Sequence, residues 1–460
     1  MKKAITPLLI AAAVFTVSLI AQRYTLICQE YDGLFLAVPD YFRQLFRKPL
    51  PLSHLVTDFL TQFFRFSVYG PAILAVLVTA VFLLLRRLLS DVGLQLECIC
   101  ALGALGLWVW TASRPTVLPL VAALLFLAAA VLLTLPLKAR KPVRMKDRHD
   151  LTLSSAIVLC AVGALLSFPA VRRAETWAKV KHATAYAQWD LLLESATPER
   201  AEKNRVLTPF ALLALNEKGL LADRMLTYPV TWQSDLDMAE QGDSYESLFF
   251  RAALYDRLGC GNESIHNLFQ LSNMQEHGTS FLILRQLALQ HYRIGNYVLA
   301  EKYCRILERS SLHGQYVRYI RECMAAGEPR PQDAPARLAE APLITHDPLR
   351  NILLIENEGI HSPISLERVL CTLLLRRNLD GFWESLDRLT DRSAHLPRHY
   401  QEALLLAGAA QERVDPQLAE QYSRFQADFA SLSAKQLHKR YGTTYWFYYI
   451  FYDRQNDTNP

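Results

Sequence analysis

The stretch "LALQHYRIGNYVLAEKYCRIL", residues 287–307, predicts two short antiparallel helices joined by a tight turn. Leu287 and His291 lie four residues apart, so they share one face of the first helix. Gly295 ends that helix, because glycine adopts a left-handed conformation without a Cβ penalty. Ala300 then faces the first helix, where a small side chain lets the two helix axes approach. The stretch therefore predicts a helical hairpin.

The predicted hairpin resembles a tetratricopeptide repeat, because the turn glycine, Tyr297 and the small Ala300 follow in that motif's order. Two upstream turn glycines, Gly219 and Gly259, mark looser hairpins, and with Gly295 they are spaced by 40 and 36 residues. Stacked hairpins of this period form an α-solenoid, whose concave surface suits a protein or peptide partner. An unrelated helical bundle with the same turns remains the alternative.

The chain from residue 171 onward predicts an all-α tail, because its apolar residues keep a spacing of three to four. We divide it into tetratricopeptide-like hairpins at 171–330, a Pro-rich linker at 331–349 and a second helical lobe at 350–460. The lobe ends in the aromatic segment "YGTTYWFYYIFYD", residues 441–453. This segment is interpreted either as an interfacial anchor or binding platform, or as a cap packed over the last helices.

The first 170 residues carry five apolar stretches that approach the roughly 20 residues a helix needs to cross a bilayer. They lie near residues 5–21, 68–85, 94–112, 117–137 and 151–170. Residues 1–170 are therefore expected to form a transmembrane helix bundle, with interfacial helices in the loop at 22–67. The first stretch has two interpretations, a membrane span or a cleaved signal peptide.

The basic residues near these stretches predict the orientation of the chain in the membrane. They are Lys2, Lys3, Arg86, Arg87 and the segment "KARKPVRMKDR" at 138–148. Cytoplasmic ends of spans are enriched in Lys and Arg, so the N-terminus is expected in the cytoplasm and the C-terminal domain outside it. We predict a multi-pass protein of the bacterial inner membrane with a periplasmic tail. The net charge of +5 is small for 460 residues, which argues against a nucleic-acid partner.

The sequence has no motif for a metal site, a nucleophile elbow or a phosphate-binding loop, so no cofactor and no metal are predicted. Three carboxylates of the first outside loop, Glu30, Asp32 and Asp40, are the candidate catalytic residues. A carboxylate there acts as a base or holds a metal in a glycosyltransferase-like enzyme on a lipid-linked substrate. Solvated loop carboxylates are the ordinary interpretation.

Two thiols of the predicted tail, Cys304 and Cys323, lie on successive predicted helices in a compartment that we expect to be oxidising. A disulfide between them is one interpretation, and free buried thiols that serve as small apolar side chains are the other.

The whole chain resembles an uncharacterised family of bacterial multi-pass inner-membrane proteins with a tetratricopeptide-like periplasmic tail. The motifs are "FLTQFF" (59–64), "ALNEKGLLAD" (214–223), "RIGNYVLAEKYCRIL" (293–307), "LPRHYQEALLL" (396–406) and "YGTTYWFYYIF" (441–451). The resemblance implies the layout described above and no particular activity. Ser264 occupies the small position of the middle hairpin, which leaves the number of repeats open.

Two functions follow from these patterns. The first is a membrane-anchored extracytoplasmic scaffold or adaptor that binds a protein or peptide of the envelope through its repeats; it rests on analogy of fold. The second is the membrane enzyme described above. A weaker third is an accessory subunit of a transporter, which would need a partner because no ionisable residue lies at the centre of a span. The sequence favours the non-enzymatic role and leaves the oligomeric state open.

Overall fold

The computed structural model describes residues 5–91, 97–112, 114, 116–134, 151–238, 242–275, 278–310, 312–326, 363–389, 395–408 and 413–451. Within these ranges every regular element is a helix, so the chain is all-α. Lys2, Lys3, the basic segment at 138–148 and the linker at 331–349 lie outside the described residues.

The chain forms two compact units, and each of them is discontinuous in sequence. Unit 1 comprises Met1–His182, Ser272–Ala288 and Val298–Ala325. Unit 2 comprises Ala183–Leu271, Leu289–Tyr297 and Ala326–Pro460. Unit 1 thus combines the apolar part of the chain with residues that the sequence analysis assigns to the hairpins.

The apolar part of unit 1 is a bundle of helices that pack through small and aliphatic side chains. Its helices are α1 (Ile5–Ala21), α2 (Arg23–Asp32), α3 (Pro39–Leu45), α4 (Pro51–Thr61), α5 (Tyr69–Asp91), α6 (Glu97–Ala112), α7 (Leu118–Thr134), α8 (Leu151–Ser167) and α9 (Pro169–Ala185). Helix α1 packs on α5 and α8, while α5 packs on α6 and α7. Val14, Phe82 and Trp108 lie at the centre of this core and are fully buried.

Helix α5 is long and apolar enough to cross a membrane over Tyr69–Leu89. The pair α1 and α2, bent by 78°, and the pair α8 and α9, bent by 56°, also pass if each counts as one span. Helices α6 and α7 are apolar but shorter, at 16 and 17 residues. Five spans are predicted from the sequence, whereas the described residues contain one helix of spanning length, or three with the bent pairs. The difference arises because α6 and α7, at 16 and 17 residues, are shorter than the roughly 20 residues of a typical membrane-crossing helix.

The rest of the chain continues as short helices. They are α10 (Trp189–Ser195), α11 (Pro198–Lys203), α12 (Leu207–Glu217), α13 (Leu221–Arg224), α14 (Ser234–Asp237), α15 (Tyr245–Arg257), α16 (Gly261–Asn273), α17 (Phe281–Arg293), α18 (Tyr297–Glu308), α19 (Gly314–Ala325), α20 (Pro363–Leu375), α21 (Leu379–Leu389), α22 (Arg398–Ala407), α23 (Pro416–Phe429), α24 (Ala434–Tyr441) and α25 (Tyr445–Phe451).

The three turn glycines lie where the sequence analysis expects helices to reverse. Gly219, Gly259 and Gly295 separate α12 from α13, α15 from α16 and α17 from α18, with φ of +65°, +77° and +80°. These values lie in the left-handed region, which glycine enters without strain. Beyond the last turn, Tyr297 stacks on Tyr292 with ring centroids 6.1 Å apart. Ala300 is fully buried.

The aromatic C-terminal segment folds as α25 and is packed inward. Tyr445, Trp446, Phe447 and Tyr448 are all buried. Trp446 and Phe447 join a core with Phe425 of α23, which places α25 over the preceding helices of unit 2. Of the two interpretations of this segment, the structure has the packed cap.

Candidate functional site

The loop at 22–67 meets the helices α9, α17 and α19 inside unit 1, and we call this region the loop junction. Its centre is a close contact between Glu30 of α2 and His313, which directly precedes α19. The His313 Nε2 lies 3.0 Å from the Glu30 Oε1. Glu30 is 2 % exposed and His313 is 1 % exposed. Two polar side chains that burial removes from water thus lie next to each other.

An ion pair joins the end of α2 to α9. The Lys181 ammonium donates to the Asp32 carboxylate, with Nζ 2.5 Å from Oδ1. At the other end of α2, the main-chain N–H groups of Tyr24 and Thr25 each donate to the Glu175 carboxylate over 2.9 Å. A carboxylate at the N-terminal end of a helix accepts hydrogen bonds from N–H groups that have no partner within the helix. Its negative charge also interacts favourably with the positive end of the helix dipole. Helix α9 therefore holds both ends of α2.

Main-chain contacts extend the loop junction beyond its charged groups. The N–H of Phe281 donates to the Gly33 carbonyl over 3.1 Å, and the N–H of Ala37 donates to the Arg309 carbonyl over 3.3 Å. The Arg65 guanidinium donates to the Leu312 carbonyl over 2.6 Å. Three separate points of the loop are thus hydrogen-bonded to residues around α17, α18 and α19.

The three candidate catalytic carboxylates do not converge on one site. Glu30 is enclosed against His313, and Asp32 is bonded to Lys181. Asp40 lies on the surface, 2.8 Å from the Arg43 guanidinium of the same helix turn. A general base needs a substrate proton within reach, and the buried Glu30 does not offer that access. Each of the three carboxylates thus lies against a different partner.

Sequence analysis missed the partners of these carboxylates: Glu175, Lys181 and His313. Each of them lies far along the chain from the loop residue that it contacts, so no local spacing connects them. Glu175 and Lys181 lie six residues apart on α9, about 9 Å along the helix axis, which suits contacts at two different points of α2. The spacing itself gives no information about α2.

The two candidate disulfide partners are free thiols in the structure. Cys304 and Cys323 are both buried, on α18 and α19. Burial raises the pKa of the Cys304 thiol to about 11. A thiol with such a pKa carries almost no thiolate at neutral pH, so it is a poor nucleophile and a poor metal ligand.

Unit 2 contains its own buried polar network, centred on Arg368 of α20. Arg368 donates to the Asn216 side-chain oxygen over 3.2 Å and to the Leu236 carbonyl. The neighbouring Glu367 accepts from the N–H of Ala222 over 3.0 Å. Burial raises the pKa of Glu367 and lowers that of Arg368 to about 10. The network ties α12 and α13 to α20 and satisfies polar groups that burial would otherwise penalise.

The fully buried carboxylate of Glu402, on α22, anchors the C-terminal helix of unit 2. Its oxygens lie 2.8 Å from His399 Nδ1 and 2.9 Å from Arg398 Nε. The main-chain N–H of Tyr445 donates to the same carboxylate over 2.6 Å. Since three partners surround the carboxylate, its role is to hold the first turn of α25.

A small cleft in unit 1 lies between the kink after α1 and the end of α6. Its volume of about 10 Å³ is lined by Gln22, Thr25, Gln29, Trp108 and Arg114, among others. Buried indole N–H groups usually have a partner, but the Trp108 Nε1 has none among the residues that the structure describes. The space admits about one water molecule. The part of the chain that the structure describes places no group of three or more His, Cys, Asp and Glu residues for a metal ion.

The two faces of the hairpin helix α18 differ sharply in solvent exposure. Tyr303, Cys304 and Leu307 are buried, whereas Val298 on the other side is 82 % exposed. An isolated exposed valine is common on protein surfaces, so it identifies a position for testing rather than a site by itself.

Comparison with known proteins gives a family and no activity. No curated protein matches the chain, and no solved structure matches it. One family model matches two overlapping stretches, residues 1–172 and 156–452, which together include nearly the full length. That coverage includes both the apolar bundle and the helical tail. The chain belongs to this family, which is described as a family of unknown function (DUF6057).

Proposed function

We propose that the chain is a membrane-anchored scaffold whose hairpins bind a protein or peptide on the non-cytoplasmic side of a bacterial inner membrane. Five helices, α1 and α5 to α8, cross the bilayer in this proposal. The observation that carries it is the loop junction. There Glu30 and His313 are buried against each other, although the apolar helices α5 to α8 lie between them in the sequence.

The pair constrains the number of crossings. Glu30 precedes α5 in the chain, and His313 follows α8. An odd number of crossings between them would separate the two residues by a hydrocarbon core of roughly 30 Å. Their 3.0 Å contact therefore supports an even number, which the four helices α5 to α8 provide. With α1 added, the total is five, and the charges of Arg86 and Arg87 support a cytoplasmic N-terminus.

The shorter helices remain compatible with this proposal. At 1.5 Å per residue, the 16 residues of α6 and the 17 residues of α7 extend for about 25 Å, close to the thickness of the core. Both helices expose large apolar side chains, among them Leu102 and Phe126. Such exposure is unfavourable in water and favourable against lipid.

A binding role is better supported than a catalytic one. The loop carboxylates are committed to internal partners, while the glycine turns of α15 to α18 have the form of repeat hairpins. Helical hairpins that stack along one axis present a continuous surface to a partner. We expect the exposed side of α18 to contribute to that surface.

Photo-crosslinking in the native membrane tests this proposal. A photoreactive amino acid replaces Val298 in one variant and Phe429, an exposed apolar residue of α23, in the control. The proposal predicts one reproducible protein adduct at Val298 that is absent at Phe429. A separate Val298→Asp variant, with a photoreactive residue at the neighbouring Lys302, is expected to lose that adduct at unchanged membrane levels. Failure to capture any protein at either α18 position would contradict the scaffold.

A further inference from the structure

Helix α4 has its polar face turned inward and its apolar face turned outward. Ser53, Thr57 and Thr61 recur every four residues, so they share one helix face, and all three are buried. On the other side Leu52 is 59 % exposed and Phe59 is 45 % exposed. A surface helix of a soluble protein has the opposite arrangement, with its apolar stripe toward the core.

The inward face of α4 packs on protein helices. Helix α4 contacts α2, α3 and the apolar helix α7. Small side chains such as Ser and Thr let helices approach closely, which is how helices associate where the surrounding solvent is apolar. Asp58, the one carboxylate of α4, accepts a hydrogen bond of 2.6 Å from the Tyr41 hydroxyl and is therefore held against α3.

Exposed apolar side chains also flank α4 in the sequence, up to the start of α5. We call the exposed side chains of this region the loop patch. Its members are Phe46, Leu50, Leu52, Phe59, Phe66, Val68 and Tyr69. Tyr69 is the first residue of α5, whose own surface exposes Val76 and Leu83 farther along. Arg47 is exposed within the patch, where a cation suits phosphate headgroups.

We infer that α4 lies within one leaflet of the bilayer and that the loop patch is covered by phospholipid. With 11 residues, α4 is about 16 Å long, which is too short to cross the core. Its apolar outward face, its packing on α7 and the exposed apolar residues between it and α5 in the sequence all favour acyl chains over water as its surroundings. The inference rests on the membrane placement proposed above and does not involve the hairpin surface.

Lipid photo-crosslinking of the full chain tests the inference. The protein is reconstituted in vesicles of phosphatidylcholine and phosphatidylglycerol, with p-benzoylphenylalanine in place of Phe59. Two further variants carry the same residue at Phe126, an exposed position of α7, and at Phe429 of α23. After irradiation we expect a mass increase of one phospholipid at Phe59 and at Phe126, and none at Phe429.

The three positions separate the possible failures. A lipid adduct at Phe126 without one at Phe59 would overturn the placement of α4 while leaving the membrane bundle intact. A protein adduct at Phe59 would likewise overturn it, because the patch would then be a docking surface for another chain. Absence of lipid at both Phe59 and Phe126 would contradict the membrane placement itself, and the inference would fail with it.

Discussion

At the scale of single residues, the contact between Glu30 and His313 supports the proposed number of membrane crossings. Both side chains are almost fully enclosed, and their atoms lie 3.0 Å apart. Removing water from two polar side chains costs free energy, so this contact is not by itself a large source of stability. Removal of one partner is nevertheless destabilising, because the other polar side chain is left buried without a neighbouring polar group.

We therefore predict that His313→Ala destabilises unit 1 by about 1–3 kcal/mol, since the buried Glu30 side chain would lose the polar group that lies against it. Thermal unfolding of the purified protein in detergent measures the effect as a lower Tm. The matched control is Asp40→Asn, which removes an exposed carboxylate beside Arg43 and should change stability by less than about 1 kcal/mol. Equal Tm shifts for the two variants would contradict a larger contribution of the buried Glu30–His313 contact to stability.

The thiols give a second prediction at this scale. Burial raises the pKa of Cys304 to about 11 and that of Cys260 to about 12. Because the thiolate is the reactive form, both residues should react with a maleimide at pH 8 far more slowly than a free peptide thiol. Mass spectrometry after a timed labelling, with and without denaturant, measures this difference. Rapid labelling of Cys304 in the folded protein would contradict its burial.

The same experiment tests the predicted disulfide. If Cys304 and Cys323 are free thiols, treatment with a reductant before denaturation will not change the number of labelled cysteines. An increase of two labelled residues after reduction, both mapped to these positions, would show that the bond forms.

At the scale of elements, the hairpins are the part of the fold that the sequence predicts best. Gly295 has φ of +80°, the conformation expected from a glycine between two amphipathic helices. Ala300 is fully buried, as its place after the turn suggests. Turn chemistry and apolar spacing are local properties, so a short stretch of sequence contains the information that determines them. The Ile294 side chain, by contrast, is exposed although its spacing matches the buried face.

Substitution of the turn glycine follows from its backbone conformation. Gly295→Ala should destabilise the protein by about 1–2 kcal/mol, because a Cβ in the left-handed region meets the neighbouring carbonyl oxygen. Gly314→Ala is the matched control, since that glycine begins α19 without a positive φ and has open space around it. Denaturant titration of both variants measures the difference. A neutral Gly295→Ala substitution would contradict the turn geometry.

The apolar helices of unit 1 are predictable as apolar stretches of sequence, but their lengths and bends are not. The stretches near residues 94–112 and 117–137 correspond to α6 and α7, which are shorter in the described residues. The 78° bend between α1 and α2 falls at Gln22, which ends the apolar run and accepts a hydrogen bond from Ser18. A hydropathy pattern predicts where the apolar stretch ends, but it does not predict the angle at which the next helix leaves.

At the scale of the whole molecule, the loop junction could not have been predicted from the sequence. Glu30, Asp32 and Asp40 look alike as loop carboxylates, and only packing distinguishes a buried ion pair from a solvated group. The scattered histidines have no ligand spacing, yet His313 is central because the folded chain brings it to α2. Sequence predicts the parts of this protein through local rules, whereas its candidate site depends on contacts between distant segments.

The central claim is that the first loop and the C-terminal helices lie on the same, non-cytoplasmic side of the membrane. Single cysteines at Gln44 of α3 and at Gln421 of α23, both exposed positions, test it directly. A membrane-impermeant maleimide is added to intact spheroplasts, with the unsubstituted protein as the control for native thiols. We predict that both cysteines are labelled before lysis. Labelling of Gln421→Cys only after lysis, with Gln44→Cys labelled from outside, would contradict the claim.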